Sequence, residues 1–235
     1  SNLLVSSKGC RGCVINLAPG ESPVFINGNE VTAWAGASLQ RVCVLARDNS
    51  LAGLEFAYGI PGSVGGALFM NAGAYGGEMK DVVTSCRYIG ADGGIHEMQA
   101  ADMQLAYRSS IFSNGNYVIT SVTMELRPGD KAEITVRMDE LMQRRRDKQP
   151  LNYPSCGSTF KRPEGYFAAA LIEECGLKGF SIGGAQVSDK HSGFVINRDN
   201  ATFEDVMAVV GEVRRVVLEK KGVELECEML ILGEH

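Results

Sequence analysis

The sequence predicts an α+β fold organised as two domains. Residues 1–128 are rich in glycine and in short apolar runs of the β type, whereas longer helical patterns follow the turn at Pro128-Gly129-Asp130. Residues 223–232 then alternate strictly between apolar and polar side chains, as a half-buried strand does. No internal repeat or low-complexity tract is visible in the sequence. We therefore expect one domain over 1–128, a second over 129–222 and a final strand within 223–235.

The first domain is predicted to place short strands around one helix. Runs of the β type cover residues 14–17, 82–89 and 117–126. Ser38 can cap a helix that ends at Asn49-Ser50, since the apolar residues between them fall on one helical face. These apolar residues are Leu39, Val42, Cys43, Leu45 and Ala46.

The second domain contains the clearest helix of the chain. It begins at Thr202, where Thr202 and Asp205 offer a capping-box pair, and it ends before Gly222. One apolar stripe runs along it, formed by Val206, Val209, Val210, Val213 and Val217. The strand that follows carries its polar residues on one face, namely Glu224, Glu226 and Glu228.

Composition and charge exclude several classes of function. A net charge of -5 argues against nucleic acid as a partner, because phosphate binding needs a dominant basic surface. No apolar run approaches the roughly 20 residues that span a bilayer, and the opening residues show no secretion signal. The seven cysteines are scattered and odd in number, which favours a reducing cytoplasm. Cys10 and Cys13 form a Cys-x-x-Cys without a second pair, so we expect no metal site.

Residues 59–77 read GIPGSVGGALFMNAGAYGG and are almost free of charge. Seven glycines among nineteen residues predict a loop rather than a helix, with amide groups that can converge on a phosphate. The segment lacks the glycine spacing of a dinucleotide fold and the Lys-Ser/Thr of a P-loop. On these grounds alone, a set of tight turns and a ligand-binding loop are equally good interpretations.

Further motifs precede and follow this segment and continue nearly to the carboxyl terminus. In order, they are Leu54-Glu55-Phe56, the glycine-rich segment, Tyr107-Arg108-Ser109-Ser110, Lys148-Gln149-Pro150, SCGSTFKRP at 155–163, GGAQVSDKHSGFVIN at 183–197 and ELECEMLILG at 224–233. Together they resemble the UDP-N-acetylenolpyruvoylglucosamine reductases, the MurB family. The resemblance covers almost the whole chain, so it does not depend on one motif.

The resemblance implies a particular fold and reaction. The family fold is a two-lobed FAD-binding module of the vanillyl-alcohol-oxidase type (PCMH type), followed by a smaller α/β substrate-binding domain, with the last strand returning to the flavin module. Its reaction uses NADPH and FAD to reduce UDP-N-acetylglucosamine enolpyruvate to UDP-N-acetylmuramate, a peptidoglycan precursor. The implied protein is a cytoplasmic enzyme, expected to be a monomer, that acts on a small nucleotide sugar without a nucleic acid or a membrane.

The resemblance also implies where the cofactor binds. The opening Ser1-Asn2-Leu3-Leu4-Val5 resembles the end of the family's Gly-x-Gly-Ser-Asn pyrophosphate loop, which implies an incomplete flavin module and weak FAD binding by this chain. The residues expected at FAD are Ser1, Asn2, Gly59, Ile60, Pro61, Gly62, Ser63, Gly66, Asn71, Ala72, Gly73, Ala74 and Ile119.

Three residues match the family's catalytic positions. Ser158 matches the proton donor, although a loop serine more often caps nearby backbone. Arg108 matches the arginine beside the substrate carboxylate and the developing enolate, and its alternative is a surface ion pair. Glu228 matches the catalytic glutamate, and Glu226 on the same strand face is the alternative assignment. Cys156 is set aside, because the reaction needs no covalent nucleophile.

The remaining expectations concern the substrate and the rival functions. Candidate substrate contacts are Lys148, Tyr153, Gln186, Lys190 and His191. The neighbouring run 144–146 of three arginines is more typical of a solvated helix face. A rival enzyme would be a flavoprotein oxidase of the same fold acting on a hydroxyl group. A rival of another class is a fragment that binds nucleotide sugar but is inactive without flavin.

Overall fold

A computed structural model of the chain describes residues 1–17 and 22–233. In the described residues the strands and helices follow in the order β1 (Leu3–Val5), β2 (Val24–Asn27), β3 (Glu30–Trp34), α1 (Leu39–Asp48), β4 (Leu51–Ala52), α2 (Val64–Phe69), β5 (Gly73–Ala74), β6 (Gly77–Glu78), β7 (Val83–Ile89), β8 (Ile95–Gln99), β9 (Val118–Glu125), β10 (Arg127–Pro128), α3 (Lys131–Lys148), α4 (Ala168–Glu174), β11 (Ser181–Ile182), β12 (Ala185–Val187), β13 (Val195–Asn197), α5 (Phe203–Lys221) and β14 (Leu230–Leu232). This mixture of helices and strands confirms the α+β class.

The backbone divides into two compact units. The first, here called the sheet unit, comprises Val14–Arg145. The second, here called the carboxy-terminal unit, comprises Ser1–Cys13 together with Arg146–His235. Each unit has its own hydrophobic core, which is the usual mark of a separately folding body.

The sheet unit is built on a five-stranded antiparallel sheet in the order β2-β3-β9-β7-β8. Alternate residues of β3 and β9 are buried, and Val31 pairs directly with Met124 in this register. Helices α1 and α2 contribute their apolar residues to the same core, including Leu39, Val42 and Leu68. Strands β7 and β9 match the predicted runs 82–89 and 117–126. Helix α1 confirms the predicted helix, and the Ser38 side chain caps it by accepting from the Arg41 N–H.

The glycine-rich segment contains a helix, which the sequence did not predict. Helix α2 begins after Ser63, whose hydroxyl accepts from the Gly66 N–H and caps the helix. Gly65 allows this helix to approach β3, since a Cβ at Gly65 would lie 2.7 Å from the Ala35 Cβ. Tertiary packing thus overrides the cost of roughly 1 kcal/mol that each helical glycine carries relative to alanine.

The carboxy-terminal unit packs α4 and α5 with a three-stranded antiparallel sheet, β11-β12-β13. Helix α5 confirms the predicted helix: Thr202 and Asp205 form a reciprocal capping box, and Gly222 ends the helix at a φ of 67°. Strand β14 pairs in parallel with β1, so the opening residues belong to this unit.

Two predicted strands differ from the structure. Residues 14–17 are irregular, and Val14 and Ile15 are exposed, because no partner strand covers this apolar run within the described part of the chain. In the segment predicted as a strand from 223 to 232, the described residues form only an isolated antiparallel bridge between Phe160 and Cys227 and the short strand β14. Leu225 and Met229 are nevertheless buried, as the alternation predicts.

The division between the units lies beyond the turn at which the sequence placed it. Asp130 accepts from the Ala132 and Glu133 N–H groups, so the turn begins α3 instead of separating two bodies. The buried side chains of Ile134 and Met138 on this helix join the core of the sheet unit. The division therefore falls in the last turn of α3, after Arg145.

Candidate active site

The glycine-rich segment of the sheet unit presents unused backbone donors. Its chain reverses through residues with positive φ angles, which are Gly59 (88°), Gly62 (116°), Asn71 (44°), Tyr75 (54°) and Gly76 (89°). Within the described residues, the amide N–H groups of Gly59, Gly62 and Ser63 donate to no protein acceptor. Amide groups left open in successive turns can bind an anionic or carbonyl-rich ligand.

Asn71 holds this segment together from inside. Its side chain is fully buried, donates from Nδ2 to Glu78 Oε2 (2.9 Å) and to the Ala106 carbonyl (3.0 Å), and accepts from the Lys80 N–H (2.9 Å). Both ends of the amide are therefore engaged with protein groups. We expected Asn71 at the cofactor, but the structure gives its side chain a structural role.

Arg108 lies in a two-residue turn beside the glycine-rich segment. Ala106 and Ser109 close the turn with reciprocal backbone hydrogen bonds of 3.0 and 3.2 Å, and Arg108 has a φ of 52°. Its Nη2 donates to the Gly73 carbonyl at 3.2 Å, and its guanidinium carbon lies 5.0 Å from the centre of the Tyr107 ring. The cation is thus directed toward the glycine-rich segment.

The end of α3 places a buried cation against the same segment. Arg145 is 7% exposed, and its guanidinium carbon lies 5.8 Å from the centre of the Tyr75 ring. A Cβ at Gly59 would lie 2.8 Å from the Met142 Cε and 3.3 Å from the Arg145 Cδ, so the helix and the loop are in close contact. Burial lowers the pKa of Arg145, and arginine stays charged nonetheless. The expected solvated face holds for the exposed Arg144 and Arg146 but is wrong for Arg145.

Ser158 lies in a loop of the carboxy-terminal unit that Thr159 fixes on both sides. The Thr159 N–H donates to the Gly193 carbonyl (2.8 Å), and its hydroxyl accepts from the Val195 N–H (3.0 Å). The half-buried Ser158 hydroxyl donates a long bond of 3.3 Å to the Phe160 carbonyl. A fixed backbone therefore carries a hydroxyl that is weakly bound and able to turn toward a ligand.

The backbone around Glu228 forms a short antiparallel pairing with this loop. Its N–H donates to the Thr159 carbonyl at 2.9 Å, so Ser158 and Glu228 lie on neighbouring backbone segments. Asn2 donates from Nδ2 to the Glu228 carbonyl (2.9 Å), and the backbone carbonyl of Asn2 accepts from the Leu230 N–H (2.9 Å). The opening residues, expected at the cofactor, thus also fix the segment between Glu228 and β14.

Glu226 and Glu228 differ in their surroundings. Glu226 forms an ion pair with Lys161 and keeps 71% of its side-chain surface exposed, whereas Glu228 is half-buried. An exposed and paired carboxylate gains little from its position. Cys156 remains outside the set, because its Sγ donates to the Leu3 carbonyl (3.2 Å) and burial raises the pKa of its thiol, which keeps the thiol protonated.

Comparisons with known proteins identify the family. Residues 149–232 match the family described as "UDP-N-acetylenolpyruvoylglucosamine reductase, C-terminal domain", and residues 1–99 match an "FAD binding domain". A UDP-N-acetylenolpyruvoylglucosamine reductase of Caldanaerobacter subterraneus subsp. tengcongensis is 50% identical over 234 residues, which cover 100% of this chain and 77% of that protein. The chain belongs to the UDP-N-acetylenolpyruvoylglucosamine reductase family.

Other reductases agree with this assignment. A reductase of Clostridium perfringens (strain SM101 / Type A) is 52% identical over 233 residues, 99% of this chain and 76% of that protein. The crystal structure of the MurB reductase from Thermus caldophilus superposes with a TM-score of 0.75 at 35% identity and covers 85% of this chain and 72% of that chain. The resemblance found in the sequence motifs is confirmed.

The residues expected to contact the substrate of the reductase all lie in the carboxy-terminal unit, which includes the end of α3. Their surroundings differ. Lys190 donates from Nζ to the Arg146 carbonyl, and Lys148 is exposed at the end of α3. Tyr153 is half-exposed in the loop before Ser158. His191 accepts from the Gly193 N–H at Nδ1 (3.1 Å), and burial lowers its pKa, so the ring is neutral at pH 7 and presents Nε2 as a donor.

Two expected contact residues have other roles in this member of the reductase family. Gln186 is buried, donates to the Gly179 carbonyl (3.1 Å) and accepts from Arg198 (2.7 Å), so its amide is used inside the protein. Ile119 is buried in the core of the sheet unit. Motif resemblance does not show which side chains turn inward.

The sequence did not predict the roles of Arg145 and Glu78, or that Thr159 fixes the Ser158 loop by hydrogen bonds on both sides. A lone charged residue in a run or a hairpin gives no periodic signal, so only its contacts reveal its role. Among the described residues, no cluster of three His, Cys, Asp or Glu side chains could hold a metal ion. The same part of the chain contains no helix that is long and apolar enough to cross a membrane.

Proposed function

We propose that this reductase-family chain uses NADPH and FAD to reduce UDP-N-acetylglucosamine enolpyruvate to UDP-N-acetylmuramate in peptidoglycan precursor synthesis. The observation that carries the proposal is the pairing of the Ser158 loop with the strand segment of Glu228. This pairing joins the backbone segments that carry Ser158 and the half-buried Glu228, both inside the matched family domain, and so supports a shared role for the two residues. The chain is proposed to act in the cytoplasm as a monomer.

The glycine-rich segment fits FAD. The open amide groups of Gly59, Gly62 and Ser63 can donate to its pyrophosphate or to its ring carbonyl groups, and the buried Arg145 adds positive charge at the same segment. Further contacts are proposed for Ser1, Ile60, Pro61, Gly66, Ala72, Gly73 and Ala74. When bound, FAD supplies the hydride that NADPH provides.

Ser158 is proposed to hold the proton that the product needs. Addition of hydride to the vinyl carbon leaves an enolate, whose other carbon must receive a proton. Because its bond to the Phe160 carbonyl is long, the Ser158 hydroxyl can turn toward that carbon with little loss of hydrogen bonding. Its alkoxide then regains a proton from solvent or from a neighbouring acid.

Arg108 and Glu228 are proposed to control charge around the reacting group. The guanidinium of Arg108 can bind two oxygens of the substrate carboxylate and oppose the enolate charge that develops there. Its Nη2 already donates to the Gly73 carbonyl, which directs the planar fork of donors along the glycine-rich segment. The backbone of the half-buried Glu228 pairs with that of the Ser158 loop. Its carboxylate is suited to orient a polar group of the substrate, or the group that returns a proton to the Ser158 alkoxide.

The anionic nucleotide sugar is proposed to contact the carboxy-terminal unit. Lys148 and Lys190 supply positive charge, and Tyr153 is available to the sugar or the uridine. His191 contributes a neutral Nε2 donor in place of a positive charge, because its pKa is lowered by burial. These roles differ in their expected dependence on salt, which screens the lysines more than the histidine.

Coupled turnover tests the proposal. The purified chain, incubated with FAD, NADPH and UDP-N-acetylglucosamine enolpyruvate, should oxidise more NADPH than is needed to reduce its FAD only when the sugar nucleotide is present, and mass spectrometry should identify UDP-N-acetylmuramate. Binding of the sugar nucleotide in calorimetry without flavin absorbance and without turnover would instead favour the alternative, a binding fragment. Oxidation of a hydroxyl substrate with reduction of FAD would favour a flavoprotein oxidase.

A further inference from the structure

The two-residue turn that carries Arg108 needs support from its surroundings. A φ of 52° is a left-handed conformation, which is unfavourable for an arginine relative to its preferred backbone conformations. The reciprocal bonds between Ala106 and Ser109 close the turn but do not fix its position in the sheet unit. The hydrogen bond from Asn71 to the Ala106 carbonyl links the base of the turn to the glycine-rich segment.

The orientation of the Asn71 amide is determined by two neighbours. The Lys80 N–H can only donate, so it requires the Oδ1 end of the amide at 2.9 Å. An ionised Glu78 carboxylate can only accept, so it requires the Nδ2 end at 2.9 Å. The second Nδ2 hydrogen then points to the Ala106 carbonyl. Glu78 therefore helps to hold Asn71 in the one orientation that anchors the Arg108 turn.

Glu78 also reaches Arg108 by a second route. Strands β5 and β6 pair Gly73 with Glu78, and the Gly73 carbonyl accepts the hydrogen bond from Arg108 Nη2. The packing is close, since a Cβ at Gly73 would lie 2.7 Å from the Glu78 Cγ. The Lys80 ammonium lies 2.8 Å from the carboxylate, and this ion pair, with Asn71 and the more distant Arg108 charge, lowers the pKa of Glu78. Glu78 is therefore ionised at neutral pH.

We propose that Glu78 is a positioning residue for Arg108, acting through Asn71 on the base of the turn and across the β5–β6 pairing on the Gly73 carbonyl. The inference rests on the proposed function, because it takes Arg108 to be the group that meets the substrate carboxylate. On this proposal, Glu78 affects only the step of the reaction that uses the enolpyruvyl substrate.

The test compares Glu78→Gln with Glu140→Gln. Glutamine keeps the shape of Glu78 and can still accept from Asn71, but it lacks the charge that fixes the orientation of the network. Glu140 is a matched control, because it is an exposed glutamate of the same unit that pairs with Arg137 at 3.2 Å. We expect kcat/KM for the enolpyruvyl substrate to fall roughly tenfold in Glu78→Gln, as misplaced catalytic groups do. In Glu78→Gln, the rate of flavin reduction by NADPH should stay within about twofold of wild type. In Glu140→Gln, the rates of both steps should stay within about twofold of wild type.

A double-mutant cycle with Arg108→Ala separates positioning from general damage. If Glu78 acts through Arg108, Glu78→Gln has no further effect on the substrate step once Arg108 is alanine. An equal loss in both backgrounds, or wild-type kcat/KM in Glu78→Gln, overturns the inference. Wild-type turnover in Arg108→Ala alone overturns the catalytic role proposed for Arg108 instead, so the two failures are distinguishable.

Hydrogen exchange without flavin gives an independent measurement. The Ser109 N–H donates to the Ala106 carbonyl, and its exchange should become faster in Glu78→Gln while core amides of β9 are unchanged. Asn71→Gly tolerates the positive φ at this position and removes the link outright, so it should accelerate the same amide more. Unchanged exchange at Ser109 in both variants would contradict the proposed positioning.

Discussion

At the scale of single residues, the backbone at Ser158 is fixed by its neighbours, whereas the Ser158 hydroxyl is held only weakly and can rotate. Thr159 ties the loop to Gly193, Val195 and Glu228, whereas Ser158 itself donates a long hydrogen bond to the Phe160 carbonyl. This arrangement suits a donor that must turn toward a transient acceptor. It also means that removal of the hydroxyl should disturb little of the fold.

Ser158→Ala should therefore separate the two half-reactions of the flavin-loaded enzyme. Flavin reduction by NADPH does not use the serine proton and should stay near wild type. Reoxidation by the enolpyruvyl substrate should slow by ~100-fold or more, as expected on loss of a positioned acid. Stopped-flow absorbance resolves the two steps, and Ser155→Ala in the same loop is the control. Equal slowing of both steps would remove Ser158 from the role of proton donor.

His191 makes the stability of the carboxy-terminal unit sensitive to acid. Burial lowers its pKa in the folded chain, so the unfolded chain binds the proton more readily. The stabilisation by a neutral His191 is present above the ordinary histidine pKa of about 6.5 and is lost as the pH falls toward the lowered value. Urea midpoints measured from about pH 7.5 to pH 5 should decline less in His191→Gln than in wild type. The same decline in His191→Gln as in the control His96→Gln would contradict this.

At the scale of secondary structure elements, close backbone approach explains the second glycine of the GGAQ motif. A Cβ at Gly184 would lie 2.0 Å from the Asp199 carbonyl oxygen and 2.5 Å from the Ala201 nitrogen. Both contacts are with backbone, which cannot move aside without shifting the segment that leads into α5. The glycine at this position thus allows close packing between the turn before β12 and the segment that leads into α5.

Gly184→Ala and Gly211→Ala should change stability in opposite directions. Gly184→Ala is expected to destabilise the carboxy-terminal unit by about 1–3 kcal/mol through overpacking. Gly211 lies inside α5, where a Cβ would have nothing within 4 Å of it, so alanine there should stabilise the helix by roughly 0.5–1 kcal/mol. Urea denaturation measures both free energies of unfolding. A stable Gly184→Ala protein would show that the segment 199–201 can move.

At the scale of the whole molecule, each unit has a core of its own. Ile172 and Leu225 are fully buried in the carboxy-terminal unit, and Leu68 and Val122 are fully buried in the sheet unit. The carboxy-terminal core includes residues from α4, α5 and the segment around Leu225, with Leu4 of β1 packed against it. The opening residues therefore contribute to the stability of the unit that carries Ser158.

Core truncations should therefore act unit by unit. Ile172→Ala and Leu68→Ala are each expected to cost about 2–5 kcal/mol in the unit that contains the cavity. Hydrogen exchange should then accelerate within Arg146–His235 and Ser1–Cys13 for Ile172→Ala, and within Val14–Arg145 for Leu68→Ala. Loss of protection throughout the chain from either substitution would show that the two units unfold as one.

The sequence by itself determined the family and the elements with strong local signals. Helices α1 and α5 have a capping side chain and a periodic apolar face, so short-range physics decides them, and β7 and β9 lie in β-type runs that find partner strands. The ordered motifs determined the family, because each fixes residue types at fixed spacing. The run 14–17 shows the limit of such signals, since an apolar run becomes a strand only when a partner strand is available.

Only the tertiary structure decided which motif side chains turn inward and which stay exposed. Helix α2 forms within a glycine-rich segment because Gly65 lets it pack on β3, a contact distant in the chain. Arg145 is buried while its neighbours in the run are exposed, and Gln186 and Asn71 are used by partners that no spacing rule predicts. Glu226 is distinguished from Glu228 by Lys161, which lies 65 residues away in sequence. The physical reason is that burial and hydrogen bonding depend on residues brought together by folding, whereas periodicity and capping depend on neighbours along the chain.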